Sequence, residues 1–126
     1  YENYRVEFYK MQENLFFGFE KKKHGHNFIF IADDEKLLID CVFKQNLGNF
    51  DELLKIVKQI KGDKIIEYLN RINNIALNKR VGFLLEHYRG IDISGRVNDD
   101  TNYVLLTRYN DARFIDNKWK VKHDIS

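Results

Sequence analysis

The sequence has no proline at all, one cysteine (Cys41), one tryptophan (Trp119) and one methionine among its 126 residues. A single cysteine excludes an internal disulfide and fits a reducing, cytoplasmic setting. No apolar run approaches the roughly 20 residues of a membrane-crossing helix, and the mixed, charged start YENYRVEFYK has no secretory leader pattern. Charge of one sign is missing too: the net charge is +2, with 21 basic and 19 acidic residues interspersed. Binding DNA strongly and without sequence preference needs several uncompensated phosphate contacts, which this balance does not advertise. The absent proline, beside abundant lysine, isoleucine and asparagine, reads as AT-rich coding and carries no functional weight. What remains is ordinary for a folded domain, with 44% hydrophobic and 32% charged residues. The length suits one domain with its own core. A start at Tyr1 rather than Met points to a further domain upstream.

Hydrophobic periodicity organises the chain as strands, then helices, then strands. YRVEFYKM (4–11) alternates apolar and polar positions, as a half-buried strand does. NLFFGFEKKKHG (14–25) predicts a second strand, bulged at Gly18, and HNFIFIA (26–32) a third, joined through a hairpin turn at Gly25. From Asp33 to Tyr88 the spacing turns helical. Four helices are expected: 34–45; one after Asn49, where Asn49 and Glu52 have capping-box spacing; KIIEYLNRI (64–72), capped by Asp63 after a stop at Gly62; and about Asn74–Arg89, stopped at Gly90. A polar loop (91–102), with a short strand at Ile91–Ile93, leads to strands in YVLLTRY (103–109) and KWKVKH (118–123), around turn signals at Asn110-Asp111 and Asp116-Asn117. The expected fold is α+β in a single domain over 1–126: N-terminal antiparallel strands, a central run of about four helices, and C-terminal strands returning to the sheet.

The acidic run Asp33-Asp34-Glu35 resembles a metal cluster, but carboxylates are stabilising by about 0.3–1 kcal/mol each at a helix N-terminus, where N–H groups lack partners. A cap plus first-turn acids accounts for them without a metal. Asp40 stands four residues after Lys36, a spacing that permits an ion pair on the exposed side of the helix. His24 and His26 share a strand face, yet no Cys or third His lies near in sequence, and Gly25 between them signals a turn. Cys41, among Leu37, Leu38, Val42 and Phe43, reads as a core thiol rather than a nucleophile. Lys21-Lys22-Lys23 reads as a solvated strand end. GIDISGR (90–96) lacks the Lys-Ser/Thr ending of a phosphate loop. The alternative enzyme reading is a metal-dependent nuclease built on Asp33, Asp34, Glu35, His24 and His26. The sequence offers it no further support, and the expectation is a non-enzymatic domain with no cofactor and no metal.

Three stretches together resemble one family. ADDEKLLID (32–40) is similar to a pattern of Ala, an acidic or proline position, then Glu-Lys-x-Leu-x-Asp opening a helix. NKRVGFLLEHY (78–88) is similar to an Arg-Leu-Gly-Tyr-Leu-Leu-Glu helix, with Val81 and Phe83 in place of Leu and Tyr. FIDNKWKVKHDI (114–125) is similar to a closing strand carrying a Trp and an apolar–polar alternation. Their order and spacing over about residues 26–125 resemble the C-terminal region of the AbiEi-like antitoxins, also described as predicted transcriptional regulators. The resemblance implies an upstream winged-helix domain that reads operator DNA. It also implies a C-terminal domain that neutralises a nucleotidyltransferase-type toxin in a type IV toxin–antitoxin system, within an autoregulating protein. The alternative is a regulatory or dimerisation domain of a winged-helix transcription factor without antitoxin activity. Oligomeric state stays open. If the partner is an acidic nucleotidyltransferase, basic residues complement it, and Lys21, Lys22, Lys23, Arg89, Arg96 and Arg113 are the partner-binding candidates. In the second motif, Gly82 costs about 1 kcal/mol relative to alanine in a helix interior, so some other element is expected to approach it closely. Arg80 and Glu86 are expected to face out, and Trp119 and Val121 to share the buried side of a strand.

Overall fold

A computed structural model describes residues 17–43, 50–106 and 112–125, and their architecture is α+β. Two strands come first, β1 (Phe19–His24) and β2 (Asn27–Ala32). They pair antiparallel, with Phe19 opposite Ala32 and His24 opposite Asn27. Gly25, at φ +63°, makes the tight connection, a backbone shape that glycine adopts without cost. The expected strand at 4–11 lies outside the described residues. Gly18 is not a bulge within the strand but the residue before it. Its φ is +76°, a Cβ there would stand 2.7 Å from Lys36 Cβ, and its carbonyl accepts a hydrogen bond from Asp33 N at 2.8 Å.

Four helices follow: α1 (Asp34–Phe43), α2 (Phe50–Gln59), α3 (Gly62–Ile72) and α4 (Ile75–Arg89). The asparagine expected to cap α2, Asn49, lies outside the described residues. Helix α3 begins two residues earlier than its sequence suggests, with Lys61 at the cap position and Asp63 inside the first turn. The reason is tertiary: Glu35 Oε2, from α1, accepts from Lys61 N at 3.2 Å. That is the bond a glutamate of the helix's own first turn makes in a capping box. Helix α4 is punctuated as its sequence predicts. Asn74 accepts from Leu77 N at 3.0 Å, and Gly90, at φ +65°, donates its N–H to Glu86 O at 3.0 Å.

Among the described residues, the C-terminal strands do not return to the first sheet. They form a sheet of their own, in the order β3 (Val104–Leu105), β5 (Val121–His123), β4 (Phe114–Asp116), with β3 parallel and β4 antiparallel to β5. Strand β4 falls where the sequence showed only turn signals, and the strand expected at Ile91–Ile93 is loop, although Ile93 is fully buried. Trp119 sits in the turn before β5 rather than on the strand, but both it and Val121 are buried. The core draws on all four helices and the second sheet: Leu38, Ile39, Leu53, Val57, Ile65, Leu69, Val81, Leu84, Trp119 and Val121 among others. Gly82 is where α4 admits the tryptophan, because a Cβ there would lie 2.5–2.6 Å from three atoms of the Trp119 ring. Cys41 is half-buried and packs against this core.

Candidate functional site

The acidic run at the start of α1 is a junction between helices. Asp33 Oδ1 caps α1 by accepting from Lys36 N at 2.8 Å. Its other oxygen accepts from Tyr68 OH at 2.5 Å and pairs with Lys64 Nζ at 3.0 Å, both on α3. Glu35 Oε1 lies 3.3 Å from the same ammonium, while Oε2 serves Lys61 N. The hydrogen bond to Asp33 is the main reason Lys64 holds its proton well above the usual lysine range. Burial, then the bond to Asp33, pushes the Tyr68 phenol up to about 12. Asp34 is also raised, first by burial and then by the neighbouring charges of Glu35 and Asp33.

One turn deeper, Lys36 and Asp40 form an ion pair at 2.6 Å with side chains 0% and 6% exposed. The sequence expectation placed this pair on the exposed side of α1. The structure turns it inward, because the N-terminal Phe17–Gly18 segment lies across this helix: Lys36 Nζ stands 5.2 Å from the Phe17 ring centroid, and Gly18 closes against Lys36 Cβ. Arg71 of α3 stacks on Phe17 as well, at 4.5 Å.

A second buried lysine, Lys79 of α4, holds the loop 91–103 in place by donating to Asp100 Oδ1 and to the Asn102 carbonyl. Beside it Asn78 donates to Asn98 O at 3.1 Å. Lys118 binds both Glu86 and Asp92, and its hydrogen bond is the chief cause of the strongly lowered Asp92 carboxyl. Glu86 is therefore tied to the loop and the C-terminal turn rather than simply facing out. Arg80 is half-buried and donates Nε–H to Leu105 O at 2.7 Å, and burial lowers its guanidinium.

The six partner-binding candidates lie on four different parts of the chain. Lys21, Lys22 and Lys23 are on β1, where Lys23 is exposed. Arg89 ends α4 and donates to the Val57 and Ile60 carbonyls, closing the C-terminal end of α2. Arg96 is in the loop and reaches Asp63 at 3.5 Å. Arg113 is exposed just ahead of β4. Of the histidines once paired on sequence, His26 is exposed in the hairpin turn. Among the described residues no group of three or more His, Cys, Asp or Glu is placed to hold a metal ion. The structure instead brings together His87 and His123, 6.5 Å apart by ring centroid, with Phe83 of α4 stacked on His87 at 5.4 Å and tilted against His123 at 4.4 Å. Burial, then repulsion from His87, lowers His123.

The residues that sequence reasoning missed lie on the second sheet. Its outward face carries Tyr103, Leu105 and Ile115, which are 46%, 42% and 53% exposed. The signal was present as alternation, but strand β4 had not been recognised and the three-strand register could not be drawn. No family model, curated protein or solved structure matches this chain. Among the described residues, no helix is long and apolar enough to cross a membrane.

Proposed function

We propose that this chain is an antitoxin domain of a type IV toxin–antitoxin system, acting without chemistry of its own to neutralise a nucleotidyltransferase-type toxin. In this reading it belongs to a protein that binds its operator through an upstream winged-helix domain. The reading rests on the ordered resemblance of three stretches. One observation supports it: the distinctive residues of those stretches have framework roles in one fold. Lys36 and Asp40 of the Glu-Lys-x-Leu-x-Asp stretch make a buried pair. Gly82 of the second stretch receives Trp119 of the third. Residues that must meet for the domain to fold are those that a set of separated motifs retains while surfaces diverge. Of the acids that suggested a nuclease, Asp33 and Glu35 are engaged in helix capping and ion pairs.

The test is co-expression with the product of the adjacent gene. Restored growth of a host poisoned by that product is the expected result. A neighbour that is harmless, or whose toxicity this chain leaves untouched, sinks the antitoxin reading. A full-length protein that still represses its own operator would then favour the regulatory or dimerisation domain.

A further inference from the structure

The second sheet has two unlike faces. On β5, Val121 and His123 are buried and Lys122 between them is exposed. The register fixes which neighbours share the side of Lys122. Leu105 on β3 and Ile115 on β4 are both its direct partners, so Leu105, Lys122 and Ile115 form one row across all three strands. Tyr103 extends the apolar surface, with Lys120 Nζ 5.4 Å and Lys122 Nζ 6.0 Å from its ring centroid and its hydroxyl donating to Asn117 Oδ1 at 3.3 Å. Arg113, two residues before Ile115 and exposed, adds a third cation. Large apolar side chains in a contiguous exposed group are what a solvent-facing sheet face ordinarily avoids.

Among the described residues, the charged side chains set on this face have one sign. The nearby carboxylates are engaged elsewhere. Asp116, whose strand partner is the buried Val121, accepts from Trp119 N at 2.6 Å. Asp100 is bound by Lys79. Asp124 acts on Tyr88 and His123, on the α4 side. An apolar centre within a basic rim selects an apolar surface within an acidic rim. A second copy of the same face would set three cations against three. Among the described residues of this face, single-stranded nucleic acid would find one aromatic ring to stack on, already attended by two ammonium groups, while Leu105 and Ile115 offer no stacking surface.

We infer that the outward face of the β3–β5–β4 sheet is a docking surface for a protein partner that presents apolar side chains ringed by carboxylates. Identifying that partner with the adjacent-gene toxin rests on the reading given above. The site differs from the candidates drawn from sequence, sharing only Arg113 with them.

The experiment measures affinity for the purified adjacent-gene product, by calorimetry, beside growth rescue. Four forms of the chain are compared: wild type, Arg113→Glu/Lys122→Glu, Leu105→Ser/Ile115→Ser, and Lys23→Glu/Arg96→Glu. The charge-reversed pair alters exposed side chains only, so it keeps the test informative if the serine pair folds poorly. The expected result is binding weakened about 30-fold or more in the first two variants, the loss typical of central anchors, with the third unchanged. Equal binding by all four forms, or no complex with the wild type, overturns the docking surface. Rescue without a complex overturns it while leaving the antitoxin reading intact. A complex lost in the two face variants, without rescue, upholds the surface and removes the antitoxin reading. Binding of a dT20 oligonucleotide that the face variants abolish would assign the surface to nucleic acid instead. A wild-type dimer by light scattering that the same variants dissolve would assign it to a second copy.

Discussion

Lys36 and Lys79 carry the same ammonium group to equally dry positions, 0% and 1% exposed, and are satisfied in opposite ways. Lys36 pairs within its own helix, with a carboxylate that is itself buried. Lys79 reaches out of the core to a loop, to an Asp100 side chain that is 38% exposed and to the Asn102 carbonyl. The first arrangement is closed, with both charges desolvated and set against each other. The second is open, with one end of the pair in water. A closed pair is intolerant of losing a member, whereas an open one can recruit solvent.

The largest effect is therefore expected at Asp40. Asp40→Ala removes the carboxylate 2.6 Å from a fully buried ammonium and should lower unfolding free energy by about 3–5 kcal/mol. Urea denaturation reads this directly. Replacing the pair together, Lys36→Met with Asp40→Leu, should recover most of the loss, since similar-volume apolar residues often match a buried ion pair. A double variant as unstable as the single one would mean that the charges, rather than their pairing, hold α1 in place.

Asp100→Ala should cost less, about 1–3 kcal/mol, because Lys79 keeps the Asn102 carbonyl and lies 3.9 Å from Asp99. A loss equal to that at Asp40 would erase the distinction between closed and open pairs.

The contrast also marks how far the sequence could be read. The i, i+4 spacing of Lys36 and Asp40 was legible, and so was the pair. Its burial was not, because the covering group, Phe17 with Gly18, comes from a segment before the helix whose path is tertiary. Gly82 announced a close approach, and Trp119 announced a buried anchor, but nothing local joined them. Helix ends that carry their own caps, at Asn74 and Gly90, were read correctly. The start of α3 was misplaced because its acceptor, Glu35, lies 26 residues away. Strand pairing was the least legible feature. Asp116 and Asn117 read as turn residues, yet Asp116 ends β4 and caps the following turn at once. The basic surface drawn from sequence lost Arg89 to a structural task, while the outward row through Lys122 emerged only from the register.

A smaller effect is expected at Tyr68, which shares Asp33 with the surface lysine Lys64. Tyr68→Phe should cost about 1 kcal/mol at neutral pH through the lost hydrogen bond. The phenol is held at about 12 in the fold, against an ordinary value of 10.0. Between those values the unfolded chain releases its proton and the folded chain keeps it, so stability falls as pH rises from 10 toward 12. The phenylalanine variant should show a flatter alkaline limb. An unchanged limb would mean that the fold does not hold this phenol above its ordinary value.

The smallest effect concerns a third buried basic group, a histidine. His123 is buried against Phe83 and Phe114, accepts Ile125 N–H on Nδ1 at 3.1 Å, and faces His87 across 6.5 Å. Burial and then His87 lower its pKa below 6.5, against an opposing pull from Asp116 and Asp124. It sheds its proton instead of keeping a closed ion pair. The sign follows from linkage. Below about 6.5 the unfolded chain binds a proton that the folded chain resists, so this contribution is complete above that pH and is lost as pH falls through the folded value. His87→Gln keeps the ring neighbour's volume and polarity but removes its charge. It should lessen the loss of stability as pH falls below 6.5. A variant whose acid limb matches the wild type would remove repulsion from His87 as a cause and leave burial to account for the shift.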